Sequence, residues 1–356
     1  MDIELCSTTG IEQIDDLLRG LISLFEMSFP GRIHSYYLSG SYSDGTAVGH
    51  DRSPNSSDVD LLIIFRDKIE EPEEAVFHRL LSAARLISPV PLDANAYSED
   101  DLLQPPQKGA SQTTFNNIRI KIASLFIYGE DLRQVLPEVP FSRYILDVIE
   151  SGVFHLGIPR QSKNLIYPLD VPLVYPLGYP DPDGEFYGYD LVPPRPGTSP
   201  GTRVLVDITT WIATLILALE TGRYAGQKSQ SIQFCKTYLP DDKRIQLAIT
   251  IYDLKGTWGY MVPDAAEERE RLQNLCRDTL ALENDYLKLC RDYVLTQLQH
   301  GGTKEKLQAI RILQSVVYPD DEIVATLKAL ECDIDEKIQT GAAKALEISE
   351  RVLKDH

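Results

Sequence analysis

The chain has 356 residues, enough for two or three domains, with 43% hydrophobic and 25% charged residues, as in soluble globular proteins. Its 35 Lys and Arg against 53 Asp and Glu leave a formal net charge of −18. That excess argues against non-specific nucleic-acid binding, which depends on neutralising phosphates with basic side chains.

The first residues, Met1, Asp2 and Glu4, do not begin a signal peptide, and a cytoplasmic location is expected. Cys6, Cys235, Cys276, Cys290 and Cys332 are odd in number and lack metal-ligand spacing, which suggests no disulfide framework and a reducing compartment. Residues 11–28 predict an amphipathic helix, with Ile11, Ile14, Leu17, Leu18, Leu21, Ile22 and Phe25 on one side.

Next come Tyr37-Leu38-Ser39-Gly40-Ser41, a polar loop, and Ser57-Asp58-Val59-Asp60 followed by the apolar run Leu61 to Phe65. This reads as a strand, a Gly-Ser turn into a helix, a loop, and a second strand bearing two carboxylates at its start. Asp58 and Asp60 are two apart, so on a strand they share a face. Adjacent carboxylates repel, and a divalent cation offsets that repulsion. Mg²⁺ prefers carboxylate together with phosphate oxygens. Gly40 and Ser41 offer backbone N–H groups and a hydroxyl where a helix begins, which suits a nucleotide phosphate. The combination points to phosphoryl or nucleotidyl transfer.

Gly40-Ser41 and Asp58-Val59-Asp60-Leu61 together resemble the nucleotidyltransferase superfamily that includes DNA polymerase beta and the aminoglycoside adenylyltransferases. The connecting loop, Tyr42 to Ser57, is a few residues longer than that pattern usually has. The resemblance implies an α+β fold: a mixed-sheet domain over residues 1–140, then an all-helical domain. It also implies Mg²⁺ and ATP, or another nucleoside triphosphate, and a third carboxylate on a neighbouring strand. Asp93 is the candidate, in Val90 to Tyr97, after a helical stretch Glu73 to Leu86. Its implied role is metal ligand or general base, the plainer alternative being a turn residue after Pro91.

Further along, Phe115 to Leu125 predicts a helix, with Gly129 as its stop signal. Residues 141–201 are assigned as a connecting segment; from 165 it is dense in Pro, Gly and Tyr, a linker or a lid bearing Asp181, Asp183, Glu185 and Asp190. Residues 202–300 read as helical. Val204 to Leu219 is too short and too polar for a membrane span and reads as a buried bundle helix. Thr221-Gly222, a loop with Lys228 and a helix ending in Leu239-Pro240 resemble the helical domain of the adenylyltransferases, which implies that Lys228 contacts the triphosphate. Those proteins often carry a phosphate-binding Arg two turns before the Thr-Gly, where this chain has Thr214; Arg203 and Arg223 are the replacements at hand. Trp258 and Tyr260 belong to bundle packing or to a ligand pocket. Residues 301–356 break into Lys304 to Val317, Asp321 to Leu330 and Asp335 to Leu353, a HEAT-like pattern of short helices that would offer a docking or dimerisation surface.

The expected activity is transfer of a nucleoside monophosphate to a hydroxyl of a small acceptor. Asp58, Asp60 and Asp93 would be the catalytic and metal-binding acids, and Gly40, Ser41 and Lys228 would bind the nucleotide. The negative charge suits a cationic, aminoglycoside-like acceptor. The alternatives are a nucleotide-sensing or antitoxin-like module that binds a partner without catalysis, and AMP transfer to a protein.

Overall fold

A computed structural model of the chain describes residues 3–53, 56–104, 111–160, 162, 164–169, 186, 188–190 and 201–355. The architecture is α+β, a mixed four-stranded sheet followed by helices. The sheet half contains α1 (Glu12–Ser28), β1 (Ile33–Ser39), α2 (Ser41–Asp44), β2 (Val59–Phe65), α3 (Glu71–Ile87), β3 (Leu92–Ser98), α4 (Glu99–Leu103), α5 (Ser111–Ala123) and β4 (Leu125–Gly129). Its strand order is β3-β2-β1-β4. β2 and β3 run parallel, whereas β1 is antiparallel to both β2 and β4.

The central strands explain the apolar runs. All seven residues of β1 are buried, and in β2 only Asp60 escapes full burial. Strands covered on both faces lose the alternation of a half-exposed sheet. Covering one face, α1 buries Ile14, Leu18, Leu21, Ile22 and Phe25. Phe25 stacks on Phe77 of α3 at 5.2 Å between centroids, and Phe77 meets Phe65 of β2 edge-on at 6.2 Å. α3 starts with a capping box between Glu70 and Glu73 and a Pro in its first turn, all of which fix its N-terminus.

One expectation fails here. Leu125 to Gly129 is a strand, and Gly129 closes it rather than stopping a helix. A five-residue apolar run has no periodicity to separate helix from strand; the free edge of β1 decides it. Gly129 adopts φ 97°, and any Cβ there would meet the His34 carbonyl.

The helical half contains α6 (Phe141–Gly157), β5 (Leu165–Ile166), α7 (Arg203–Thr221), α8 (Lys228–Tyr238), α9 (Lys243–Trp258), α10 (Ala266–His300), α11 (Thr303–Leu313), β6 (Val316–Val317), α12 (Asp321–Leu330) and α13 (Glu336–Asp355). α7 lies at its centre, packed on α6, α8, α9 and α10. Among the described residues it is the one helix long and apolar enough to cross a membrane, and 72% of its apolar window is buried inside the protein. Gly222, at φ 68°, ends it in the left-handed conformation expected of a C-terminal glycine.

The tail is not a free appendage. α11 packs on α6 and α10, and α13 packs on α11 and α12. Val316 and Val317 form a short strand paired with β5 instead of extending a helix, because the connecting segment offers an edge there. Buried Gln308 of α11 donates 2.6 Å to Oδ1 of buried Asp147 on α6. Of the lid residues, Asp181, Asp183 and Glu185 lie outside the described part, and Asp190 is buried.

Candidate active site

Gly40 links β1 to α2 at φ 70° and ψ −162°, a conformation that residues with a Cβ rarely adopt. A Cβ there would overlap Oδ2 of Asp60. Gly40 therefore allows the Asp60 carboxylate to lie directly against the turn, with Ser41 next to it. Asp58, one residue ahead of β2, and Asp60, within it, both line a cavity of about 330 Å³ together with Gly40 and Ser41. The sharing of a face expected from their spacing is realised.

The loop between Ser41 and Asp58 is held in place. The Ser57 N–H donates to the Val48 carbonyl at 2.7 Å, and the Val48 N–H donates to Ser57 Oγ at 2.9 Å. Arg52 Nε donates to the Ser88 carbonyl at 2.6 Å, tying the loop to the far end of α3. The described part of the loop is thus tied to Ser57, next to Asp58, and to the end of α3.

Burial, followed by the neighbouring Asp58 charge, pushes the Asp60 carboxyl up to about 8, while Arg119 pulls it down. A cation between Asp58 and Asp60 would reverse that, which is what a metal-binding acid pair requires. Asp93 faces Asp60 in register across the parallel β2–β3 ladder. It opens instead on a second, larger cavity of about 810 Å³, which Asp60 also lines. Arg85 Nη2 donates to Asp93 Oδ1 at 2.8 Å, and Asn95 Nδ2 reaches Oδ2 at 3.4 Å. Among the described residues no group of three or more His, Cys, Asp or Glu side chains is arranged to hold a metal. The donor set fits Mg²⁺ as two carboxylates completed by phosphate oxygens, the usual mode for that ion.

Opposite the sheet, one stripe of α7 faces the first cavity. Arg203, Asp207, Trp211 and Thr214 recur at helical spacing and all line it. Arg203 donates 2.6 Å to the Ser56 carbonyl and lies 3.3 Å from Asp58 Oδ1, with its guanidinium 4.5 Å above the Tyr260 ring. Burial opposes its charge, but Asp58, Tyr260 and Asp207 raise its pKa. Lys228 begins α8 and pairs with Asp207. Burial would discharge this lysine, yet Asp207 holds it well above the usual range. In turn, burial would raise Asp207, and Lys228, His155 and Arg203 together keep it low.

The cavity thus gathers Gly40, Ser41, Asp58, Asp60 and Lys228, with Asp93 adjoining through Asp60. Arg203 is brought in; Arg223 instead stacks 3.7 Å over Tyr238. Tyr260 lines the cavity, whereas Trp258 donates to Glu268 at 3.1 Å. Arg119, His155, Asp207, Trp211 and Lys255 were missed in the sequence. A signal existed for two of them: Asp207 and Trp211 continue the spacing of Arg203 in an otherwise apolar helix.

The two cavities share Asp60, Phe115, Arg119, His155 and Trp211. The second is closed by Asp147, Glu150 and Phe154 of α6 and by Ile312 and Ser315 from the tail. One buried donor on these walls, Trp211 Nε1, has no hydrogen-bond partner among the described residues.

No protein-family model matches the chain, and no curated protein matches it in sequence. Among solved structures, it is similar to a spectinomycin adenyltransferase from Enterococcus faecialis, crystallised with ATP and spectinomycin. That likeness has 14% sequence identity and a TM-score of 0.41, and covers 74% of this chain and 98% of the other.

Proposed function

We propose that this protein transfers a nucleoside monophosphate, with ATP as the first donor to test, to a hydroxyl of a small acceptor. The observation that carries the reading is the position of Asp60, on the wall common to both cavities and beside Asp58. The first cavity, with Lys228 and Arg203, suits a triphosphate; the second, with Asp93, Asp147 and Glu150, suits a polar or cationic acceptor. Asp58 and Asp60 would hold Mg²⁺, which when bound neutralises phosphoryl charge and orients the reacting oxygens.

In this reading Gly40 and Ser41 support the triphosphate beside the acids. Arg203 leaves Asp58 as the nucleotide enters and turns to phosphate oxygens. Asp93 takes the proton of the acceptor hydroxyl through Oδ2, its Oδ1 being oriented by Arg85. The acceptor oxygen bonds to the α-phosphorus as the bond to the β-phosphate bridge breaks. Lys228 offsets charge on the departing pyrophosphate.

The Arg203–Asp58 and Arg85–Asp93 contacts favour a second reading, a nucleotide-binding module without transfer, since two acids already have cationic partners. One assay separates the two. The protein is incubated with Mg²⁺ and each labelled nucleoside triphosphate, with and without a panel of aminoglycosides and other polyols. Acceptor-dependent pyrophosphate release, lost in the Asp58→Ala, Asp60→Ala double variant, supports transfer. Release that survives in that variant refutes the acid assignment, and tight nucleotide binding without transfer favours the module.

A further inference from the structure

Lys255 sits on α9, only 5% exposed, on the wall of the first cavity. Its ammonium donates 2.9 Å to the Thr46 carbonyl and lies 3.3 Å from the Tyr252 hydroxyl, with the Tyr252 ring 4.6 Å below. No carboxylate lies within ion-pairing distance of it among the described residues. In this it differs from its neighbours on the same wall, since Lys228 has Asp207 and Arg203 has Asp58. A buried ammonium with only neutral partners is costly, and proteins seldom keep one without a counter-ion.

The charged groups facing Lys255 come from every element around it. Asp44 of α2 and Asp207 of α7 favour its charge, while Lys228 of α8 and Arg203 of α7 oppose it. Burial, then Lys228, brings its pKa down to about 8. The ammonium is therefore less firmly charged than an exposed lysine, and a bound anion would favour its charged form. Lys255 is thus a buried cation on the cavity wall whose described hydrogen-bond partners, the Thr46 carbonyl and the Tyr252 hydroxyl, are both neutral.

We propose that Lys255 is an anion-binding residue of this site, engaging the polyphosphate of the nucleoside triphosphate. The proposal rests on reading the first cavity as a triphosphate site. A polyphosphate suits the position because it brings more charged oxygens than Lys228, Arg203 and a cation held by Asp58 and Asp60 would cover. Lys255 is placed to hold the phosphates, not to react, so its loss removes binding of the charged portion and leaves the nucleoside portion intact.

Calorimetric titrations of ATP, inorganic tripolyphosphate and adenosine, with Mg²⁺ present, test this on the wild type, Lys255→Met and Lys255→Arg. Met should weaken ATP and tripolyphosphate at least about tenfold and leave adenosine unchanged, with Arg restoring most of the loss. An undiminished melting temperature of the Met variant confirms that it folds. Unaltered tripolyphosphate affinity in the Met variant, or an equal loss for adenosine, overturns the proposal. A wild type that binds tripolyphosphate but no nucleoside triphosphate refutes the nucleotide reading and leaves Lys255 as an anion site; binding of neither refutes both.

Discussion

Gly40 leaves open the space that the Asp60 carboxylate fills: a Cβ on one and Oδ2 of the other would share the same position. The turn between β1 and α2 and the acid on β2 are therefore a single structural unit, although 20 residues apart in sequence. Gly40→Ala should displace Asp60 and strain a backbone held at φ 70°. The expected cost is about 1–3 kcal/mol of stability, read by thermal melting. Transfer activity should drop further than stability does, because Asp60 is moved from Asp58. An alanine variant with wild-type turnover would contradict the pairing.

Lys228 and Asp207 test as a pair. Lys228→Ala leaves Asp207 with weaker support from His155 and Arg203 and should cost about 1–3 kcal/mol, less than a fully buried pair because the lysine side chain is 39% exposed. Lys228→Met with Asp207→Asn should regain the stability but not the transfer rate. Chemical denaturation and single-turnover kinetics on the same samples separate the two effects. A double variant with normal turnover would remove Lys228 from the chemistry.

Asp147 gives a pH dependence. Burial pushes its carboxyl up to about 7, although Thr114 and Gln308 donate to it. A carboxyl raised on folding contributes stability that is complete below the unfolded value near 4 and is lost as pH rises through about 7. Asp147→Asn removes the charge while its Oδ1 still accepts from Gln308 and its Nδ2 donates to the Thr114 hydroxyl in place of accepting from it. It should be more stable than the wild type at pH 8, on the order of 1–2 kcal/mol, and show no advantage at pH 4. Melting curves at the two pH values check this, and equal stabilities at pH 8 would argue that the acid is ionised at no cost.

The tail closes the second cavity through Ile312 and Ser315. Ser315→Trp should fill part of it and raise the KM for the acceptor about tenfold or more, leaving nucleotide affinity unchanged. Steady-state kinetics with one substrate varied at a time resolve this. An equal change for both substrates would mean that the tail acts on the fold as a whole.

Much of this was legible in the sequence because it is local. Helical spacing gave the first helix, the apolar run gave β2, and the spacing of Asp58 and Asp60 gave their common face. β4 was not legible, since Leu125 to Gly129 has no period of its own and its strand identity comes from β1, some ninety residues earlier. Lys255 was hidden for a similar reason. Nothing in Lys255-Gly256-Thr257-Trp258 distinguishes an exposed helix end from a cavity wall; only the packing of α9 on α7 and α8 does so. Asp93 lies opposite Asp60 in the β2–β3 register, while its Arg85 partner on α3 depends on how that helix crosses β3 and has no sequence signal.

The chain has two tryptophans. Trp211 lies on the wall that the two cavities share, its indole N–H without a partner among the described residues, while Trp258 is tied to Glu268. The protein therefore contains its own optical reporter. On the proposed reading nucleotide and acceptor would each border this indole, so the emission of a Trp258→Phe variant should register each ligand and reveal their order of arrival without any label.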